Sequence, residues 1–272
     1  MPKPSKYHLA PPPRPAATDR HALYEKAVQD PDFEIELLER CLKKAGRPAR
    51  RLREDFSGTA LLSATWVEGG PERTAVAVDH DPKVHDWARK YRLPALGGAA
   101  SRLSLVQADV RHGPRGPFDA ILALNFSYQA FHTRAALGEY FSHALRALAP
   151  GGVLLLDIYG GSLAQQGMVE RRRVGGGLTY VWTHWPVEPI THRVRCTIHF
   201  ERSYGRRLPG AFLYDWRLWT LPEVRDLLEE VGFVDVDVLW DVEPPGVEPR
   251  YRSRRHGKNQ GTWLAYLAAG RS

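Results

Sequence analysis

Two hydrophobic periods share this chain. In ALYEKAVQDPDFEIELLERCLKKAG, the apolar positions Phe33, Ile35, Leu37, Leu38, Cys41 and Leu42 fall near a helical repeat, and Gly46 supplies a stop. Short apolar runs follow, at Leu52–Phe56, at Ala75–Val78 ending on Asp79, and in LSLVQADV, PFDAILALNFSY and GVLLLDIYG. Each run is separated from the next by helical material. The separating helices run from Ala60 to Val67, through PKVHDWARKY with Pro82 suited to a first helical position, and through TRAALGEYFSHALRAL up to PGG. The run Ala120–Leu124 fits a strand covered on both faces. Strands spaced by helices in this way predict an α/β fold with a parallel, doubly wound, Rossmann-like sheet.

Between residues 165 and 220 the repeat shortens to two. In HRVRCTIHFERS, Val194, Cys196, Ile198 and Phe200 alternate with Arg193, Arg195, Thr197 and His199, as in a half-buried strand. VERRRV, LTYVWTHW and AFLYDWRLWT read alike, so an antiparallel β excursion is expected after the fifth strand. LPEVRDLLEEVGF returns to helix, bounded by Pro222 and Gly232. VDVDVLWD and TWLAYLAAG close the chain as two strands joined by a short basic connection, which predicts antiparallel pairing and a seven-stranded sheet whose last strand is antiparallel.

Composition narrows the class. The chain has 272 residues, 43% hydrophobic and 25% charged, enough for a sizeable core in one domain at 20–272. The Pro-rich basic stretch 1–19 reads as a disordered arm; it has no apolar segment of a secretory signal. No run of about 18 apolar residues marks a membrane span. Cys41 and Cys196 are the only cysteines, which suits a reducing cytoplasm and gives too few ligands for a structural zinc site, so no metal is expected. The net charge is +7, concentrated in the first 53 residues and in Arg250–Lys258. That loop is either solvated surface or a docking patch for nucleic acid or another polyanion.

The stretch REDFSGTALLS, residues 53–63, sits where a nucleotide loop would, yet keeps only Gly58. In an open α/β sheet the ligand lies beyond the carboxyl ends of the strands. Those ends offer Glu54 and Asp55 with Gly58, then Asp79, Asp109 and Asn125. Asp79 stands about 20 residues past the turn, the offset of a carboxylate that binds ribose hydroxyls. Glycines and a lysine to hold phosphate are missing, and the carboxylates beside the turn would repel a pyrophosphate while attracting a sulfonium. A cationic nucleoside without phosphate fits, and S-adenosylmethionine is such a molecule. Each aspartate alone could equally be a helix N-cap.

With these residues the chain resembles the class I S-adenosylmethionine-dependent methyltransferases over roughly 20–270. EDFSGTA resembles the first motif, AVDHDP the second, QADV the third, LNFSY the fourth, LAPGGVLLLDIY the segment around strand five and YDWRLWTLPEVRDLLEEVGF the passage into the last helix. The resemblance implies that Glu54, Phe56, Gly58 and Thr59 belong to the loop around the methionine moiety, with Asn125 beside it. It further implies Asp79 as the ribose ligand and His80 beside the adenine, with Asp109 and the backbone of Val110 on the adenine edge. Phe56 and Ala60 depart from the commonest pattern, which has glycine at both places.

Methyl transfer requires alignment above all, and a general base only where the nucleophile arrives protonated. Candidates on the acceptor side are Tyr128, Gln129 and His132, of which Tyr128 and His132 are the catalytic candidates, together with Tyr159, Tyr214, Arg217 and Trp219. NFSY is superficially similar to the Asn-Pro-Pro-Tyr motif of amino-group nucleic-acid methyltransferases but lacks both prolines. Tyr24 and Gln29 are lid candidates. His184, His192 and His199 read as ordinary strand residues, and Arg171–Arg173 as solvated. Three functions stand: methylation of a small molecule with 165–220 as lid and specificity wall, methylation of RNA, DNA or protein docked on Arg250–Lys258, or a non-catalytic binding relative.

Overall fold

A computed structural model describes residues 13–203, 207–244 and 246–272. Of the expected N-terminal arm, residues 1–12 lie outside the described set; Asp19, at its end, caps the first helix by accepting from the N–H groups of His21 and Ala22. That helix, α1 (Arg20–Val28), is separate from α2 (Pro31–Lys44), although the periodicity reads as one continuous stretch. Pro31 explains the break, since it disfavours helix in the residue before it, and Asp30 caps the new start through Phe33 N–H.

The central sheet forms around β1 (Arg51–Asp55), buried from Leu52 onward, which pairs in parallel with β2 (Thr74–Asp79) on one side and β4 (Phe118–Ala123) on the other. β3 (Leu103–Gln107) extends the sheet beyond β2, and β5 (Leu148–Gly160) beyond β4. Strand order therefore reverses at β1, and a crevice opens there at the carboxyl ends. Alternate residues of the strands face opposite layers: Leu122 and Leu155 pack with α2 and α3 (Leu61–Glu68), Ile121 and Leu156 with the helices of the other face. Between β2 and β3 run α4 (Pro82–Trp87) and α5 (Leu93–Leu96); α6 (Arg134–Ala147) leads into β5. Each fully buried leucine or isoleucine contributes about 1.5–3 kcal/mol through removal from water.

The excursion after β5 is a second, four-stranded antiparallel sheet in simple meander order: β6 (Met168–Gly175), β7 (Leu178–His184), β8 (Arg193–Arg202) and β9 (Leu208–Arg217). The chain then enters α7 (Leu221–Val231), whose Thr220 and Glu223 form a reciprocal capping box. β10 (Val234–Asp241) follows. Among the described residues the central sheet has eight strands, one more than the seven expected, because Tyr251–Ser253 of the basic loop adds as β11 against β10; β12 (Trp263–Gly270) lies antiparallel between β10 and β5. A single apolar residue, Tyr251, anchors the extra strand, its ring 5.7 Å from Phe33 and 4.9 Å from Tyr266.

Helix α1 joins the two sheets. Leu23 and Ala27 pack on Leu178, Tyr180, Ile198 and Phe200 of the meander, while Asp19 accepts from Trp87 Nε1 at 2.9 Å on the other side. No described helix is long and apolar enough to cross a membrane.

Candidate functional site

The turn after β1 runs through three left-handed residues, only one of them glycine. Phe56, Gly58 and Ala60 have φ of 56°, 51° and 58°. For Phe and Ala this left-handed conformation costs on the order of 1–2 kcal/mol each, and the surroundings hold it. The Phe56 ring packs edge-on to Phe131 and Tyr140 at 5.9 and 5.8 Å, and Ala60 is wholly buried. Ser57 N–H donates to Val78 O, and Gly58 N–H to the Asp79 carboxylate at 2.8 Å. A Cβ on Gly58 would meet no protein atom within 4 Å, so that side of the turn is open.

Under the turn the acidic residues of β1 divide by face. Asp55 accepts two bonds from Arg53, at 2.8 and 2.7 Å, and one from the Tyr140 hydroxyl at 3.0 Å. Glu54 points the other way and accepts from Ser63 N–H and Oγ at 2.8 and 2.5 Å; burial pushes its carboxyl up to about 7. Glu54 therefore supports the start of α3 and is not among the residues lining the crevice.

The crevice has a volume of about 560 Å³. Its floor is Phe56, Gly58 and Thr59, with Asp79 and His80 from the end of β2. Asn125 and Ser127 border it after β4, Tyr214 and Trp216 close it from β9, and Tyr24 and Gln29 cover it from the N-terminal segment. Asp79 accepts from Gly58 N–H with one oxygen and from Asp81 N–H at 2.9 Å with the other. Glu25 of α1 accepts from Thr59 Oγ1 and from Arg92, fastening the helix to the turn.

The far wall depends on a residue that sequence reasoning missed. Asn125 and Phe126 both have φ of 57°, and their N–H groups donate, at 2.8 Å each, to the two oxygens of Asp157 on β5. Burial raises the Asp157 carboxyl to about 7 against the pull of these N–H donors. The only sequence signal is one carboxylate inside the apolar run LLLDIYG.

The clasped backbone redirects the residues that follow. Tyr128 and Gln129, expected at the acceptor, are wholly buried; Tyr128 packs 6.4 Å from Phe141 of α6. His132 binds Asp215 O at 2.7 Å and Arg217 binds Glu223 at 3.1 Å, with its guanidinium 3.7 Å over Trp219; none of the three lines the crevice. Asp109 and Val110 are also off the crevice lining. Arg111 takes the Asp109 carboxylate at 2.6 Å and holds its pKa down to about 2, and Val110 is in the core. Tyr159 and Tyr214 line a second pocket, of about 170 Å³, that adjoins the crevice. Arg254, Arg255 and Lys258 line a separate groove of about 760 Å³ with no residue in common with the crevice. Among the described residues no group of three His, Cys, Asp or Glu is placed to hold a metal.

Solved structures share this architecture. An S-adenosylmethionine-dependent methyltransferase from Clostridium acetobutylicum is similar over 92% of this chain and 97% of its own, with a TM-score of 0.68 and 17% identity. An amino pentose methyltransferase from Micromonospora echinaspora, solved with S-adenosylmethionine bound, is similar over 93% of this chain and 96% of its own, with a TM-score of 0.66 and 18% identity. A sugar N-methyltransferase from Streptoalloteichus is similar over 100% of this chain and 98% of its own, with a TM-score of 0.61 and 22% identity. No protein-family model matches the chain, and no curated protein matches it in sequence. At such identities the likeness establishes a methyltransferase-type Rossmann-like fold.

Proposed function

We propose that this protein transfers a methyl group from S-adenosylmethionine to a small-molecule acceptor. The observation that carries the reading is the Asp79 carboxylate, which lines the crevice while accepting the N–H of the glycine turn beside it. The chemistry of the site fits the donor. Asp79 offers charge-assisted acceptance to ribose hydroxyls, His80 lies beside it for the adenine, and the open side of Gly58 faces the volume left for the methionine end. Asn125, fixed by the Asp157 clasp, supplies a polar side chain on the opposite wall.

The donor supplies an electrophilic methyl group on a sulfonium; transfer forms the bond from the acceptor to that carbon and returns the C–S electron pair to sulfur. The protein's part is to hold the acceptor in line and exclude water, for which the covering by α1 and β9 is suited. The amino pentose and sugar N-methyltransferases that share the fold act, by their names, on small molecules, which supports the acceptor class. Arg254, Arg255 and Lys258 border a groove away from the crevice, so they take no part in this reading. Cys41 and Cys196 are free, and burial pushes their thiols up to about 11 and 12, so neither offers a thiolate nucleophile near neutral pH.

Calorimetric titration with S-adenosylhomocysteine tests the reading. One site per chain and a raised unfolding temperature are expected. No heat and no thermal shift at a large excess of ligand overturns it.

A further inference from the structure

The pocket that adjoins the crevice has an unusual lining. Seven of its eleven residues are aromatic: Tyr24 from α1, Phe126 after β4, Tyr159 from β5, Tyr180 and Trp182 from β7, and Tyr214 and Trp216 from β9. The rings form a connected wall, with Tyr214 and Trp216 4.4 Å apart, Trp182 5.9 Å from each, and Phe126 4.8 Å from Tyr159. Among the described residues, one ionisable acid, Glu170 of β6, stands in the lining, and no Lys, Arg or His does. Tyr24, Asn125, Tyr214 and Trp216 border both this pocket and the crevice, so the two share a wall.

Ring faces carry negative potential, and a set of them with a single carboxylate attracts a cation more than a neutral or anionic group. We propose, on the footing of the methyl-transfer reading above, that this pocket is the acceptor subsite and that it takes a cationic amine, with Trp182, Tyr214 and Trp216 around the ammonium and Glu170 as its counter-charge. Burial pushes the phenols of Tyr24, Tyr159 and Tyr214 up, so none of them supplies a phenolate near neutral pH. Glu170 lies directly across β6–β7 from Trp182 and has only a loose pair, 3.8 Å, with Arg172 at a half-exposed position. Transfer needs the free amine. The ammonium therefore gives up one N–H proton to solvent before transfer, which frees the nitrogen lone pair to attack the methyl carbon.

Choline and its uncharged carbon isostere, 3,3-dimethylbutan-1-ol, separate charge from shape. Each is titrated into the full chain with and without saturating S-adenosylhomocysteine, reading tryptophan fluorescence and heat. Choline is expected to bind at least about tenfold tighter than the isostere. Glu170→Gln is expected to lower choline affinity severalfold while leaving S-adenosylhomocysteine affinity unchanged, and Trp182→Phe to reduce the fluorescence response. Equal binding of the two probes, or no choline binding by a chain that does bind S-adenosylhomocysteine, overturns the subsite. Loss of S-adenosylhomocysteine binding alone overturns the donor reading instead, because the choline titration without nucleoside reports on the pocket independently.

Discussion

Gly58 donates its backbone N–H to the Asp79 carboxylate at 2.8 Å, so the turn after β1 and the acid at the end of β2 form one unit on the crevice floor. Asp79→Ala should therefore weaken S-adenosylhomocysteine binding by about 2 kcal/mol or more, through lost charge-assisted bonds and a loosened turn. Asp79→Asn, which keeps an acceptor oxygen for Gly58, should lose less. Calorimetry on both variants decides; unchanged affinity in Asp79→Ala would remove the ribose assignment.

Ala60 is the second test of the turn. It is buried and left-handed, so a β-branched side chain there meets both backbone strain and crowding. Ala60→Val should lower unfolding free energy by about 3 kcal/mol. A urea denaturation curve measures it, and a shift within error of zero would mean the turn relaxes.

The buried carboxyls predict a pH dependence. Glu54 and Asp157 are raised to about 7 by burial, whereas in the unfolded chain such groups ionise near ~4. Between these values the folded state holds protons the unfolded state has released, so stability falls as pH rises from about 4 to 7 and levels off above. Each group contributes a slope of at most ~1.4 kcal/mol per pH unit. Urea midpoints across that range should fall less steeply for Glu54→Gln than for the unmodified protein; identical slopes would refute the assignment.

Glu25 is the fastening of the N-terminal helix. Removing its carboxylate leaves Thr59 and Arg92 without their partner. Glu25→Ala should cut amide-exchange protection of residues 20–28 by about 1–2 kcal/mol and leave the β1–β4 core unchanged. Exchange measured by mass spectrometry resolves the two regions.

The legible parts of this molecule were those written as period. The apolar runs placed β1, β2, β4 and β5, and the shift to alternation placed the meander, because burial on two faces or one leaves a direct trace in residue order. Positions set by backbone direction left none. Nothing in NFSYQAFH says that Asn125 and Phe126 turn left-handed onto Asp157, and it is that turn which carries Tyr128 and Gln129 into the core and His132 off the crevice. Asp109 pairs with a neighbour two residues away, Arg111, a contact that strand-end position alone does not reveal. The aromatic pocket was half visible: Tyr159 and Tyr214 could be named, but Trp182 and Glu170 come together only when β6 and β7 pair.

The short β11 has a consequence for the border of the central sheet. A sheet presents its outermost backbone groups to any passing strand, and here the outermost strand is the three-residue Tyr251–Ser253, paired with Leu239–Asp241, with exposed Arg252 inside it and Arg254 and Arg255 just beyond. Arginines along and beside an exposed strand disfavour addition of a further strand, so this border is shielded by its own charge.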